Sequence, residues 1–157
     1  MQERTVTHNT FVIERSYPAT PQRVFAAFSD PVKKRRWFME GDEFEAISFE
    51  MNFCVGGRES SRFRSPLDSP LKGASLSNET YYQDIVPDKR IVLAYTMAVE
   101  DRRISASLST FELVPTSEGT SLIFTEQAAF FENSDGPAMR EQGWRELLES
   151  LAKELTQ

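Results

Sequence analysis

One cysteine and one histidine are all that the chain holds of the two residue types that most often do nucleophilic or metal chemistry. His8 lies close to the N-terminus, and Cys54 sits in the stretch MNFCVGGRE, residues 51–59. A cysteine nucleophile needs a base to form the thiolate, and a structural zinc site needs several Cys or His ligands. Neither requirement is met, so no metal and no cofactor are expected. Gly56-Gly57 lacks the spacing, the lysine and the following helix of a phosphate-binding loop. A glycine pair between two strand-like runs more naturally supplies a bend or tight turn. Cys54, flanked by Phe53 and Val55 with no histidine to activate it, reads as a buried or half-buried packing residue.

What chemistry remains rests on carboxylates and hydroxyls placed by strand alternation. In SLIFTEQAAF, residues 121–130, Leu122, Phe124 and Glu126 share one side of a period-two pattern, which sets one carboxylate on an apolar face. By the same parity Leu93 goes with Tyr95 and Met97, and Phe111 and Leu113 go with Ser107 and Ser109. Burial would raise the pKa of Glu126 and make it a candidate acid or base. Such a carboxylate more often pairs with an arginine or sits at a solvated strand end. The serines among aromatic neighbours either leave space for a ligand or bond to backbone in a solid core, and parity alone does not choose.

These strands need elements to hold them. TFVIERSY, residues 10–17, reads as a first strand. Thr20 can cap a helix whose first position is Pro21, with Val24, Phe25 and Phe28 at helical spacing. Ser29-Asp30-Pro31 ends that helix and starts another, which carries Lys33-Lys34-Arg35-Arg36 to Trp37 and Phe38. The basic run reads as a solvated helix face. Further strands are expected at 43–53, 57–64, 77–86, 90–99, 103–114 and 120–130, with an exposed loop at 65–75. After Pro137, Trp144, Leu147, Leu148, Leu151, Ala152 and Leu155 form the apolar stripe of a long helix. Arg145, Glu146, Glu149, Lys153 and Glu154 fall opposite, and Gly143 would let the helix approach the sheet or a ligand closely. Only a broad sheet can cover that stripe, so the expected class is α+β. A curved antiparallel sheet of six or seven strands grips the C-terminal helix, and two short helices follow the first strand.

At 157 residues, 39% hydrophobic and 27% charged, the chain reads as one domain, 1–157, with its core at about 10–155. The net charge of -6 gives no support to a nucleic-acid partner. No stretch has the length of a membrane span, and the polar N-terminus lacks the apolar core of a signal peptide. A single cysteine suits a reducing cytoplasm. Monomer and homodimer are both compatible with the sequence.

The order of landmarks resembles the helix-grip SRPBCC superfamily of START-like and birch-pollen-allergen-like domains. Within it the chain is most similar to the branch related to the C-terminal domain of the heat-shock protein 90 ATPase activator. The resemblance rests on PATPQRVFAAFSDP with Trp37 after it, VGG at 55–57, DIVPDKRIVLAY at 84–95, FELVP with EGTSLIF between 111 and 124, and GWRELLESLAKEL at 143–155. Relatives often carry D-x-R-x-G-G at the double glycine; here Asn52 and Cys54 stand in the acidic and arginine positions, so any ion pair made by those side chains is missing.

The resemblance implies ligand space under the long helix. The first expectation is therefore a non-catalytic domain that binds a hydrophobic or amphipathic small molecule. Trp37, Phe38, Tyr95, Met97, Phe111, Phe124 and Trp144 would supply contact surface, with Ser107, Ser109 and Glu126 as polar handles. The family also implies a second function, a co-chaperone-like ATPase activator with a chaperone as partner, although the eukaryotic activators carry an additional N-terminal domain. A third is an enzyme of the polyketide cyclase or aromatase kind, using Glu126 or Tyr95 to move protons.

Overall fold

The computed structural model describes residues 5–40 and 44–157. The chain runs β1 (Thr7–Tyr17), α1 (Pro21–Ser29), α2 (Pro31–Met39), β2 (Glu45–Met51), β3 (Arg58–Arg64), β4 (Ser75–Val86), β5 (Arg90–Val99), β6 (Arg102–Thr116), β7 (Gly119–Phe130) and α3 (Pro137–Glu154). The seven strands form one antiparallel sheet in the order β1-β7-β6-β5-β4-β3-β2. This is the expected α+β helix-grip architecture: an open curved sheet, two short helices, and a last helix against its inner face.

Local chemistry explains the helix starts. The Thr20 hydroxyl accepts from the Arg23 N–H at 3.2 Å, and Pro21 takes the first helical position. Asp30 does two jobs. Its backbone N–H closes α1 on the Ala26 carbonyl, and its side chain accepts from the Val32 N–H at 2.9 Å to open α2.

Strand alternation sorts the sheet faces. On β6, Ser105, Ser107, Ser109, Phe111 and Leu113 are buried, and on β7 Thr120 through Phe130 alternate in the same way. Phe11 and Ile13 of β1, Phe111 of β6 and Leu122 and Phe124 of β7 pack with Leu148 and Leu151 of α3. Each such burial is worth about 1.5–3 kcal/mol. Helix α3 is pinned past its midpoint: the Tyr17 hydroxyl donates to the Leu148 carbonyl at 2.9 Å, and Arg15 pairs with Glu149 at 2.8 Å.

Several expectations need correction. The strand expected at 43–53 is Glu45–Met51, and Glu43 lies outside the described residues. The glycines form the turn between β2 and β3: Gly56 has φ +82°, and a Cβ at Gly57 would collide with the Asn52 carbonyl oxygen. Cys54 is exposed at this turn and does not pack in the core, because the turn carries its side chain off the sheet face. The basic run is a solvated face only in part: Arg36 is exposed and Lys33 and Arg35 are partly so. Lys34 is 4% exposed and faces the sheet, and Arg36 holds Glu154 at 3.0 and 2.7 Å. Glu154, expected on the solvent side of α3, is buried by that contact. Gly143 serves no close approach, since a Cβ there would meet nothing within 4 Å.

Candidate functional site

Strands β5, β6 and β7 bring their inward residues into register beneath the first turns of α3. Tyr95 lies opposite Ser107, Leu93 opposite Ser109, and Ser109 opposite Glu126. The Glu126 side chain is fully buried. Its Oε1 accepts from the Tyr95 hydroxyl at 2.8 Å and from the Ser109 hydroxyl at 3.0 Å. From above, α3 contributes Arg140 and Trp144, one helical turn apart. Trp144 Nε1 donates to the Tyr95 oxygen at 3.3 Å, and Arg140 Nη1 donates to it at 3.1 Å. The Tyr95 hydroxyl thus gives its one proton to Glu126 and accepts twice, which exhausts it.

Arg140 is mostly committed elsewhere. Its Nε and Nη2 donate to Asp135 at 2.8 and 2.9 Å, and Nη2 also reaches Ser105 at 2.8 Å. Its guanidinium lies over the Phe130 ring at 5.1 Å from the centroid. The distance from Nη1 to Glu126 Oε2 is 3.9 Å, beyond a hydrogen bond. Glu126 Oε2 and Ser107 Oγ are buried without a hydrogen-bond partner among the described residues. Burial raises the Glu126 pKa above the ordinary carboxylate value, and Arg140 with the Tyr95 and Ser109 hydrogen bonds opposes part of that rise. Burial likewise pushes the Tyr95 phenol up, reinforced by the charge of Glu126, so it stays protonated.

Of the ten residues expected to form a site, Tyr95, Ser109, Glu126 and Trp144 meet in this network. Phe111 and Phe124 form its apolar wall, stacked on each other at 4.7 Å with Trp144 4.5 Å from Phe124. Ser107 lies on the same face without a bond, and half-buried Met97 lies opposite Ser105. Phe38 is half-buried, 6.4 Å from Trp144 by ring centroids. Trp37 stands apart, its Nε1 donating to the Ala27 carbonyl at 2.8 Å and its ring edge-on to Phe28. Sequence reading missed Arg140, Ser105 and Asp135. A signal for Arg140 existed: the Trp144–Leu148 stripe, continued one turn toward the N-terminus, arrives at it.

A second buried polar group lies toward the other side of the sheet. Lys34 Nζ donates to Glu59 Oε1 at 3.0 Å, and the Tyr82 hydroxyl donates to the same oxygen at 2.5 Å. Lys34 Nζ also lies 4.6 Å from the Phe38 ring centroid. Beyond the end of the sheet remote from Arg140, an open groove of about 700 Å³ lies between Pro18–Gln22 and the turns at 87–89 and 115–119. None of the ten expected residues lines it. Among the described residues no helix is long and apolar enough to cross a membrane.

The chain is similar to a Rhizobium loti protein of known structure, 48% identical over 96% of this chain and 99% of that one, with a TM-score of 0.84. A Rhizobium leguminosarum protein is 36% identical over 99% of both chains, with a TM-score of 0.88. An AHSA1-like protein from Aeromonas hydrophila shares the fold at 17% identity, covering 94% of this chain and 92% of that one, with a TM-score of 0.68. No curated protein matches the chain significantly. Residues 18–156 match the family described as Activator of Hsp90 ATPase homolog 1-like protein, and the chain belongs to that family.

Proposed function

We propose that the chain is a binding domain, without turnover, that holds a hydrophobic or amphipathic small molecule between the inner face of the sheet and α3. The observation that carries this reading is Glu126 Oε2, a fully buried carboxylate oxygen with no hydrogen-bond partner among the described residues, set in an aromatic wall. An unpaired buried acceptor costs about 1–3 kcal/mol, a cost that a ligand or water removes. Access comes from the start of α3. Its N-cap is Gly136, with no side-chain cap bond, and Gly143 weakens the helix by about 1 kcal/mol relative to alanine. The first turns of α3 are therefore the part that lifts to admit a molecule.

The test is titration with phenylnaphthylamine, an uncharged apolar probe whose fluorescence rises on leaving water. Saturable binding at one site is expected, with a several-fold loss in Ser107→Leu, which fills the face with an aliphatic side chain. Absence of saturable binding in the parent protein overturns the reading. A second reading, stimulation of a chaperone ATPase, draws on the family description alone. Measurement of that ATPase with and without the chain decides it.

A further inference from the structure

Resting on the binding-domain reading, the polar atoms of the same face define what the bound molecule must carry. Three buried side-chain oxygens on the inner face have no partner among the described residues: Asn78 Oδ1 on β4, Ser107 Oγ on β6 and Glu126 Oε2 on β7. The register sets Asn78 in the row of Met97 and Ser105, four residues along β6 from the row that joins Ser109 to Glu126, with Ser107 between the two rows. Ser107 is 7% exposed and Glu126 is fully buried, so neither oxygen reaches bulk water in the closed form.

Most of the protein's own protons around Glu126 are already spent. Tyr95 and Ser109 both donate to Glu126 Oε1, leaving Oε2 with none. Asn78 Nδ2 donates to Ser61, which leaves its carbonyl oxygen free. The guanidinium of Arg140, near Glu126, is held on two sides by Asp135. Of its five N–H groups, four have partners, and the fifth, on Nη1, is the group nearest Oε2. What is left over at Glu126 is an acceptor, Oε2, with one uncommitted N–H beside it and the Ser107 hydroxyl, donor and acceptor both, on the neighbouring strand.

We infer that the bound molecule presents a hydroxyl, alcohol or phenol, on an apolar body, and that carboxylate-headed molecules are rejected. A hydroxyl donates to Glu126 Oε2 while accepting from Arg140 Nη1, and so closes the gap between them. It also serves either protonation state of the carboxyl group, since it accepts from the acid as readily as it donates to the anion. A carboxylate would face Oε2 with further acceptors and place a second negative charge beside Glu126. An ether brings no proton at all. Any water at Oε2 is displaced without loss only by a group that reproduces its hydrogen bonds.

The experiment compares three probes of matched size, naphthol, methoxynaphthalene and naphthoate, by calorimetry at about pH 8, above the ordinary carboxylate range. Naphthol is expected to bind about tenfold or more tighter than either of the others, the discrimination that one unpaired buried acceptor provides. Glu126→Gln places an amide N–H₂ where Oε2 stood, so the advantage of naphthol over naphthoate should shrink several-fold. Equal binding of all three probes to the parent protein overturns this inference and leaves the binding domain standing. Binding of none overturns both. Should Glu126→Gln fail to fold, the parent series still decides the question.

Discussion

Lys34, Glu59 and Tyr82 on one side of the inner face, and Arg140, Glu126 and Tyr95 on the other, are the same three kinds of group in different states of completion. In the first, the cation and the phenol both donate to one carboxylate oxygen, at 3.0 and 2.5 Å, and the lysine is boxed by Phe28, Trp37 and Phe38. In the second, Asp135 draws the cation aside, the phenol stands between it and the carboxylate, and one oxygen of Glu126 is left unmatched. A contact ion pair with shared hydrogen bonds is a way to fasten α2 to the sheet. A separated pair with a spare acceptor fastens α3 less completely and holds polar capacity in reserve. Burial of charge is common to both, so burial alone does not separate them. The unmatched atom does.

The largest effect should come from breaking the complete pair. Lys34→Ala leaves Glu59 buried without its cation, which should cost about 3–5 kcal/mol in urea unfolding. The triple variant Lys34→Met/Glu59→Leu/Tyr82→Phe, which removes both charges and the phenol hydroxyl that would lose its acceptor, should recover most of that loss. A triple variant as unstable as the single would mean that the group contributes specific packing and the comparison with Glu126 fails.

A smaller contrast lies within one strand. Ser109 gives Glu126 a proton, whereas Ser107 gives none, although both are buried on β6. Ser109→Ala should therefore cost about 1–2 kcal/mol. Ser107→Ala should stay within about 0.5 kcal/mol of the parent or stabilise it, since it deletes an unmatched hydroxyl. Equal losses at the two positions would remove the distinction between spent and spare groups.

The smallest effect is a slope. The folded pKa of Glu126 lies above its unfolded value, mainly through burial. Between those two values the folded state binds more protons, so the contribution of Glu126 to stability declines as pH rises through that window. Glu126→Gln removes the titration. Its melting temperature relative to the parent should climb as pH increases from about 4 into the neutral range. Parallel profiles would show that the carboxyl group titrates alike in both states.

Much of this molecule follows from alternation and punctuation that a few neighbouring residues carry. Thr20-Pro21 and Asp30-Pro31 start helices because capping is satisfied within a single turn. Tyr95, Ser107, Ser109 and Glu126 share a face because side chains on a strand alternate whatever the strand pairs with. The Trp144–Leu155 stripe is legible for the same kind of reason. Cys54 was misjudged because apolar flanks indicate packing only where the chain stays in the sheet, and here it turns.

Partnership across the fold is another matter. Arg140 bonds to Tyr95 from 45 positions away, and Lys34 bonds to Glu59 from 25. Which turn of a helix lies above which strand depends on crossing angle, loop length and the bulges at Tyr82/Asp84 and Met97/Ala98, none of which has a local signature. The sequence by itself determined the elements, the faces and the presence of one carboxylate among aromatics. Only the tertiary structure decided that Asp135 takes the arginine and leaves Glu126 Oε2 unpaired, because hydrogen bonds are shared out by distances of a few tenths of an ångström that exist only once the layers have packed.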